Sequence, residues 1–448
     1  MNSKSYEYDA VVVGSGPNGL AAAILLQQNG LSVLLLEGKD QIGGGLSTEQ
    51  LTLPGFYHDV GSAVHPLAAG SPFFQTLPLE QHGLHYIYPD TAAAHPLDSG
   101  SAAVLKKSVT QTASLLGEDC TAYTHLIQPL VDTWPGLAAD ALAALHFPRH
   151  PLDMAQFGFK ALTSAVALVL MANGHLKGWP VPKGGAKSIA SALASFFISI
   201  GGKIETGTYI KTLSQLPSAK AILFDVTPKQ LLTIAGHQFS TLYKWQLERY
   251  RYGMGVFKID WALDDSIPFK AEAARQAGTI HLGGTLEEIT YNEAQTSKGH
   301  YPDLPFVLLA QQSVFDSTRA PASKHTGWAY CHVPNGSRKD MTENIERQVE
   351  RFAPGFRERI LARHTFNTSQ LESYNPNNIG GDINGGIIDL GQLFTRPALR
   401  SSPYRTSAKG LYICSSSTPP GGGVHGMSGY NAASQALKDV FNIHPRIL

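Results

Sequence analysis

The chain has 448 residues, more than one domain of ordinary size holds, so we expect two domains built from a single chain. Its 35 basic and 35 acidic residues balance, so nothing in the charge indicates a nucleic-acid-binding surface or an acidic tail. A hydrophobic content of 43% excludes a disordered chain, and 44 glycines are typical of a turn-rich α/β protein.

The cysteines define a further set of exclusions. Cys120, Cys331 and Cys414 are far apart and form no C-x-x-C pair. This spacing excludes a disulfide scaffold, a thiolate zinc site and the dithiol centre of two-cysteine flavoprotein reductases. Histidine pairs such as His82 and His85 lack supporting ligands, so we expect no bound metal.

The amino terminus and the apolar runs bear on location. The first seven residues are polar and a strand follows at once, so we expect no signal peptide. The longest apolar run, residues 165–172, is far shorter than the roughly 20 residues of a membrane span. We expect a cytoplasmic protein in a reducing compartment, and a peripheral contact with a membrane stays open.

The most informative stretch covers residues 8–45. The apolar residues 10–13 predict a buried parallel strand, residues 20–28 a helix, and residues 32–36 a second strand ending on Glu37. Between the first strand and the helix lies the sequence GSGPNG, residues 14–19. This is a strand–helix–strand unit with G-x-G-x-x-G at its first turn, which predicts a dinucleotide site.

Each part of that motif has a physical reason. Gly14 permits the tight turn, Gly16 lets the backbone approach a pyrophosphate, and Gly19 allows close packing of helix and strand. The helix amino terminus, with Pro17 and Asn18, offers unpaired N–H groups to phosphates. Glu37 can accept hydrogen bonds from the adenosine ribose and would repel a ribose phosphate, so an NADP-type ligand is disfavoured.

The middle of the chain predicts a second domain inserted into the first. We expect the dinucleotide-binding domain to comprise residues 1–72, 178–230 and 371–448, and the substrate domain residues 73–177 and 231–370. Predicted helices cover residues 108–116, 123–130 and 157–172, with proline breaks at Pro129, Pro135 and Pro148. Residues 203–213, 219–226, 256–263, 306–311 and 326–332 predict strands, and Trp261, Trp328 and Tyr330 would lie on an antiparallel sheet.

The carboxyl-terminal segment contains a second glycine loop. Residues 410–415 predict a strand and residues 427–441 a helix, separated by a loop with Gly421, Gly423 and Gly426. Too few residues follow for a helix and a second strand with an acid, so this is no separate dinucleotide site. Strand, loop and helix suit contact with a second part of the first cofactor, which favours one extended FAD over NAD.

These motifs together resemble the phytoene desaturase-related FAD-dependent oxidoreductases, and most closely the pyridine nucleotide-disulfide oxidoreductase domain-containing 2 type. The resemblance is carried by the first glycine motif, by DVGSAVHP from Asp59, by GWPVPKGG from Gly178 and by the closing LYICSSSTPPGGGVHGMSGYNAA. It implies a Rossmann-type FAD-binding domain of the glutathione reductase and amine oxidase kind, with an inserted α+β substrate domain. The implied cofactor-binding residues are Gly14, Gly16, Pro17, Asn18, Gly19, Glu37, Gly38, Gly43, Gly44, Gly45, Ser62, Ile210, Thr418, Gly423, Val424, His425 and Met427.

Two features depart from the family pattern. Gly45 stands where many relatives place an arginine. The helical region before Gly178 is shorter than usual, in a part that would belong to the substrate-side cap.

The chemistry expected from the resemblance is hydride removal from an apolar, polyene or isoprenoid-like substrate. The flavin would accept the hydride, and the protein would supply orientation, a dry cavity and a proton acceptor. His425, His65 and His332 are the candidate catalytic residues because imidazole titrates near neutral pH, and His425 is preferred for its place in the glycine loop.

Other functions stay open at this point. They are an amine or alcohol oxidase, a flavin-dependent polyene isomerase, and a flavin-binding regulatory protein without turnover. The sequence names neither the electron acceptor, which could be oxygen or a quinone, nor the oligomeric state.

Overall fold

The computed structural model describes residues 6–141, 165–393 and 395–445. Two large sheets organise this part of the chain, and short two-stranded ribbons accompany them. The predicted proline break at Pro148 lies outside the described residues, as does the first part of the predicted helix 157–172.

The first sheet consists of five parallel strands. They are β1 (Tyr8–Val13), β2 (Val33–Leu36), β9 (Lys203–Glu205), β10 (Ala219–Phe224) and β16 (Leu411–Ile413), in the spatial order β16-β10-β1-β2-β9. One face packs on α1 (Pro17–Gln28), α6 (Lys187–Ser199) and α14 (Met427–Ala436), and the other on α7 (Pro228–Ala235) and α8 (Thr241–Glu248). A parallel sheet covered by helices on both faces is the doubly wound architecture, and the predicted Rossmann-type α/β class is confirmed.

The second sheet consists of seven strands. They are β6 (Thr91–Pro96), β7 (Ala102–Lys106), β11 (Gly255–Leu263), β12 (Ala277–Leu282), β13 (Val307–Ala310), β14 (His325–Val333) and β15 (Ile360–Phe366), in the spatial order β15-β11-β14-β13-β12-β6-β7. All neighbouring pairs are antiparallel except β6 with β12. The amphipathic helix α11 (Thr342–Phe352) covers one face through Ile345 and Val349, which are four residues apart and fully buried.

The remaining elements are short connections and a helical region. The ribbons are β3 (Thr48–Glu49) with β4 (His58–Asp59), and β5 (Tyr86–Ile87) with β8 (Val181–Pro182). The other helices are α2 (Pro66–Ala69), α3 (Val109–Ser114), α4 (Cys120–Ala141), α5 (Ala165–Lys177), α9 (Glu272–Arg275), α10 (Leu286–Ser297), α12 (Thr368–Tyr374) and α13 (Leu390–Leu393). A π-helical turn, Leu437–Phe441, follows α14.

The strands of each sheet come from separate stretches of the chain. Those of the five-stranded sheet lie within residues 1–72, 178–230 and 371–448, and those of the seven-stranded sheet within residues 73–177 and 231–370. The division of the chain into two domains at those boundaries stays a prediction.

Helix α4 corrects the proline breaks predicted at Pro129 and Pro135. The helix is continuous from Cys120 to Ala141, although a proline inside a helix removes one hydrogen bond and costs about 3 kcal/mol. Ile127 and Leu130 are buried against α5 in a small apolar cluster. Packing against a second helix offsets the cost, which sequence propensity alone does not show.

No helix in residues 6–141, 165–393 and 395–445 combines the length and the apolar character that crossing a membrane requires. A cytoplasmic location and a peripheral membrane contact stay predictions.

Candidate active site

The first glycine turn lies between β1 and α1. Gly14 has a φ of +99°, a conformation that glycine adopts without strain, and its N–H donates to the carbonyl of Leu36 at 2.8 Å. A Cβ atom on Gly19 would lie 1.9 Å from the Gly14 carbonyl oxygen, so only glycine permits this approach of helix and strand. Pro17 is the first residue of α1, where its missing N–H costs nothing. The turn therefore presents the amino terminus of α1 to the space above it.

Glu37 is held at this turn by three hydrogen bonds. One carboxylate oxygen accepts from the Ser15 N–H at 2.9 Å and the Ser15 hydroxyl at 2.5 Å, and the other accepts from the Lys39 N–H at 3.0 Å. The carboxylate is therefore fixed directly beside the glycine turn, the place where a ribose would lie in a dinucleotide complex.

The carboxyl-terminal loop meets the same turn. A Cβ atom on Gly429, in the first turn of α14, would lie 1.8 Å from the carbonyl oxygen of Asn18 in α1. The two helices thus cross at their amino termini with their backbones in contact. Ser428 ties the loop to the crossing because its hydroxyl donates to the carbonyls of Thr418 and Pro419 at 3.3 and 3.2 Å. Two helix amino termini from distant parts of the chain therefore meet beside the first glycine turn.

The glycine cluster continues the site away from the turn. The Gly43 N–H donates to the Ser15 carbonyl at 3.2 Å, and a Cβ atom on Gly44 would lie 3.2 Å from the Cα of Gly16. On the other side, the Ser62 N–H donates to the Gly45 carbonyl at 3.2 Å. A Cβ atom on Gly45 would meet nothing within 4 Å. The space next to Gly45 is therefore open, and an extended ligand bound at the glycine turn would have room there.

Ile210 does not lie in a strand, which corrects the strand predicted over residues 203–213. Strand β9 ends at Glu205, because Gly207 turns the chain with a φ of +68°. Ile210 is buried against the carboxyl ends of β1 and β2, and the neighbouring Tyr209 packs over Gly38. The segment is irregular but still borders, through Tyr209 and Gly38, the groove beside Glu37 that Gly38, Asp40 and Ser47 line.

The loop before α14 holds the other predicted cofactor-binding residues. Thr418, Val424 and Met427 lie on it or at its end, and Gly423 has a φ of +124° that favours glycine. A Cβ atom on Gly423 would lie 2.7 Å from the side chain of Leu67 in α2, so the loop packs tightly on that helix.

His425 is fully engaged within this loop. Its Nδ1 accepts the Met427 N–H at 3.0 Å, which leaves the proton on Nε2, near the carbonyls of Gly421 and Gly422. Burial lowers the pKa of His425 to about 4, so the imidazole is neutral at pH 7. Its position suits a hydrogen-bond donor that shapes the loop better than a base.

His65 lies at the start of α2, beside the Ser62 loop. The imidazole is buried, and neither ring nitrogen forms a well-oriented hydrogen bond. Burial lowers the pKa of His65 to about 4, with the nearby Asp59 opposing that shift. The neutral imidazole keeps a ring-nitrogen lone pair that can accept a proton, and a pKa of about 4 makes it a weak base.

His332 lies elsewhere, on β14 of the seven-stranded sheet. Its Nδ1 pairs with a Glu293 carboxylate oxygen of α10 at 2.7 Å. The rings of Tyr330 and Trp328 lie between it and the Ser62 loop. The structure brings His65 and His425 to the same end of the molecule and leaves His332 apart from them.

A buried ionic cluster beside the site was missed in the sequence. Arg319 donates to Asp59 at 2.6 Å, and the Lys258 ammonium pairs with the carboxylate of Asp260, which also faces His58 at 3.7 Å. Burial raises the pKa of Asp260 to about 6, and burial lowers the pKa of Lys258. The only sequence signal was two charged residues two positions apart on one face of an otherwise apolar strand.

An aromatic and apolar wall adjoins this cluster. Trp328 and Tyr330 contact edge-on with ring centroids 5.5 Å apart, and Trp328 packs against Ala310 and against Ala63 of the Ser62 loop. The Lys258 ammonium lies 5.9 Å from the centre of the Trp328 ring. The seven-stranded sheet therefore packs both this apolar wall and the buried ion pair against the segment that contains Ser62 and Ala63.

Among the described residues, no group of three His, Cys, Asp or Glu side chains is arranged to hold a metal ion. Cys120, Cys331 and Cys414 are all free thiols.

Comparison with known proteins gives the relationship of the chain. Residues 12–76 match the family model described as an NAD(P)-binding Rossmann-like domain. Over 98% of its length the chain is 26% identical to pyridine nucleotide-disulfide oxidoreductase domain-containing protein 2 of Mus musculus, of which 94% is covered. The resemblance to this type of protein is confirmed. That alignment runs over 556 positions, more than the chain contains, so the mouse protein has insertions absent here.

Two further proteins extend the comparison. The chain is 23% identical to a limonene dehydrogenase polypeptide of Castellaniella defragrans, over 98% of the chain and 96% of that protein. Cyclohexylamine oxidase from Brevibacterium oxydans shares the fold with a TM-score of 0.57 and 16% identity, over 97% of the chain and 99% of that structure. These relationships confirm the expected oxidoreductase class and the amine oxidase-like fold.

Proposed function

We propose that the protein is an FAD-dependent oxidoreductase that removes a hydride from an apolar substrate. One observation supports FAD as the cofactor. Helices α1 and α14, from distant parts of the chain, meet at their amino termini through the contact of Gly429 with Asn18. A single NAD site needs only the first of these helices, whereas a longer cofactor with a second polar portion uses both.

The residues present fit such a cofactor. The turn at Gly14, Gly16 and Gly19 would hold the pyrophosphate, Glu37 the ribose, and the glycine cluster with the Thr418–Met427 loop the flavin half. The open space at Gly45 leaves room along the groove. When bound, the flavin supplies a hydride acceptor, which amino-acid side chains do not provide.

The wall of Trp328, Tyr330, Ala310 and Ala63 supports an apolar substrate. Such a wall excludes water and aligns a hydrocarbon by contact rather than by hydrogen bonds. Limonene, in the name of a relative similar over nearly the whole chain, is an unsaturated hydrocarbon of this kind. We extend the proposal to isoprenoid or polyene hydrocarbons for these reasons.

Proton removal is assigned to His65. A desaturation removes a hydride from one carbon and a proton from its neighbour. The electron pair of the C–H bond that loses the proton becomes the new double bond. The buried His65 ring has no well-oriented partner at either nitrogen, whereas His425 is engaged at its Nδ1. His425 would hold the loop in place, and His332, paired with Glu293, would act at most at the far end of the wall.

The proposal is tested by the visible absorption of the purified protein. We expect bound FAD, and anaerobic addition of a cyclic monoterpene should bleach the flavin band as the hydride is transferred. A protein that binds no FAD, even after reconstitution, would overturn the proposal. Unchanged absorption with a broad panel of isoprenoid, alcohol and amine compounds would favour a regulatory flavoprotein.

An amine or alcohol oxidase is the second candidate. The buried Lys258–Asp260 pair lies beside the apolar wall and gives a substrate with one polar group a place to be recognised. Anaerobic bleaching by an alkyl amine or alcohol, but not by hydrocarbons, would select this function. Conversion of a polyene without a lasting change of flavin absorption would select an isomerase.

A further inference from the structure

Asp225 places a carboxyl group inside the first glycine turn. The residue follows β10 directly, and its Oδ2 accepts the Gly19 N–H at 2.9 Å. The same oxygen lies 2.7 Å from where a Cβ atom of Gly16 would be. The main-chain oxygen of Asp225 is also close to the turn, since it lies 2.9 Å from where a Cβ atom of Gly14 would be. The carboxyl group thus contacts the turn that is expected to bind a pyrophosphate.

Asp225 borders the space that a ligand would fill. The residue keeps part of its surface exposed, as do Gly14, Gly16 and Pro17 in the same turn. Its carboxyl group is nevertheless enclosed by protein on most sides. A negative charge here would therefore face the phosphates with little water between to screen the repulsion.

The groups around this carboxyl do not neutralise it. The carboxylate of Glu37, at the end of β2, faces it, and so does the thiol of Cys414, just after β16. Burial raises the pKa of the Cys414 thiol well above its usual range. From the side of α12, Asn377 contributes an amide that donates to the Asp225 carbonyl at 3.4 Å. The turn on α1 adds only the Gly19 N–H, and none of the groups that shift the Asp225 pKa is a cation.

The titration of Asp225 is consistent with this arrangement. Burial, and secondarily the charge of Glu37, raise the pKa of Asp225 to about 7, while the Gly19 N–H opposes the shift. Two further negative charges from a pyrophosphate would raise that pKa again. A protonated carboxyl removes the repulsion and adds a hydrogen-bond donor.

We propose that Asp225 binds the dinucleotide in its neutral, protonated form, so that each cofactor molecule is bound together with one proton. This inference rests on the proposed FAD-binding function. The affinity for FAD then depends on pH through Asp225, which contacts the phosphate-binding turn, and not through the flavin. An asparagine at this position would accept the Gly19 N–H equally well without the proton.

The test measures FAD affinity of the apoprotein by flavin fluorescence between pH 6 and 9 at constant ionic strength. We expect the Kd to be constant at low pH and to rise above about pH 7, approaching tenfold per pH unit, and calorimetry should show uptake of nearly one proton per FAD only in the range where the Kd rises. Asp225→Asn should abolish both the rise and the proton uptake. The exposed Asp40→Asn, on the same edge of the groove, should retain them.

A second variant keeps the test decisive if Asp225→Asn fails to fold. Glu37→Gln removes the negative neighbour of Asp225, which should lower the pKa of Asp225. The pH above which the Kd for FAD begins to rise should therefore be lower in this variant, and FAD should bind more weakly at every pH. Binding of FAD to the wild type that does not depend on pH, or an unchanged slope in Asp225→Asn, would overturn the role of Asp225 alone. Failure to bind FAD at any pH would instead overturn the proposed function.

Discussion

The two sheets place their functional groups by different means. Around the five-stranded sheet, glycines bring backbones together, as at Gly19 against Gly14 and Gly429 against Asn18. Around the seven-stranded sheet, charged side chains are buried in pairs, as in Lys258 with Asp260. The first region responds to added volume and the second to lost charge, so separate substitutions probe each.

The largest expected loss of stability comes from the charged region. Arg319→Met leaves the carboxylate of Asp59 buried without its charged partner, which should lower the free energy of unfolding by about 3–5 kcal/mol. Arg405→Met, which removes a partly exposed partner of Asp439, should cost within about 1 kcal/mol. Urea denaturation measures both, and equal losses would show that the Arg319 pair is no more than a surface contact.

A charge reversal tests the glycine region through its ligand. Glu37→Arg removes the carboxylate beside the turn and should weaken FAD binding about 100-fold, or about 3 kcal/mol, in a folded protein. The exposed Glu205→Arg on the neighbouring strand is the control and should bind FAD normally. The ratio of flavin to protein after purification is the measurement. If Glu37→Arg remains as yellow as the wild type, the ribose assignment is wrong.

The smallest possible added volume tests the helix crossing. Gly429→Ala drives a methyl group into the Asn18 carbonyl and should cost about 2–3 kcal/mol, together with much of the FAD affinity. Gly45→Ala, in open space, should change stability by less than about 0.5 kcal/mol. Thermal unfolding of the two variants is compared with the wild type. Equal stability would mean that the two helices separate at little cost.

Acid sensitivity is the smallest expected effect. The folded pKa of His65 is about 4, below the unfolded value of 6.5, so its contribution is present above pH 6.5 and is lost as the pH falls toward 4. Between pH 7.5 and pH 5, the free energy of unfolding of His65→Leu should therefore fall by about 2 kcal/mol less than that of the wild type. The exposed His237→Gln should show the wild-type dependence. A wild-type profile in His65→Leu would contradict the buried neutral state.

The five-stranded sheet was predictable because its signals are local. The strand, glycine turn, helix and acid at Glu37 follow one another within one stretch, and each has a separate physical reason. Asp225 was not predictable as part of that turn, because it is about 200 residues away and reaches it only through the pairing of β10 with β1.

In the seven-stranded sheet the sequence predicted strands β11, β13 and β14, but neither the other four strands nor the pairing of the buried charges. Alternation in β11 and β14 gave their positions to within one residue, yet the pairing of Asp59 with Arg319, 260 residues away, depends on tertiary contacts. The prolines of α4 misled for the same reason: burial against α5 outweighs local propensity. Residue patterns predict where an element lies, and long-range packing decides how far it continues.

The contact of Gly429 with Asn18 also sets the order of events during synthesis. The first glycine turn leaves the ribosome about 400 residues before its partner helix, or roughly 20–80 s earlier at ordinary translation rates. Through that interval the nascent chain presents half of a phosphate site to solvent. Cofactor capture is therefore expected to be a late event, completed only after α14 has been made.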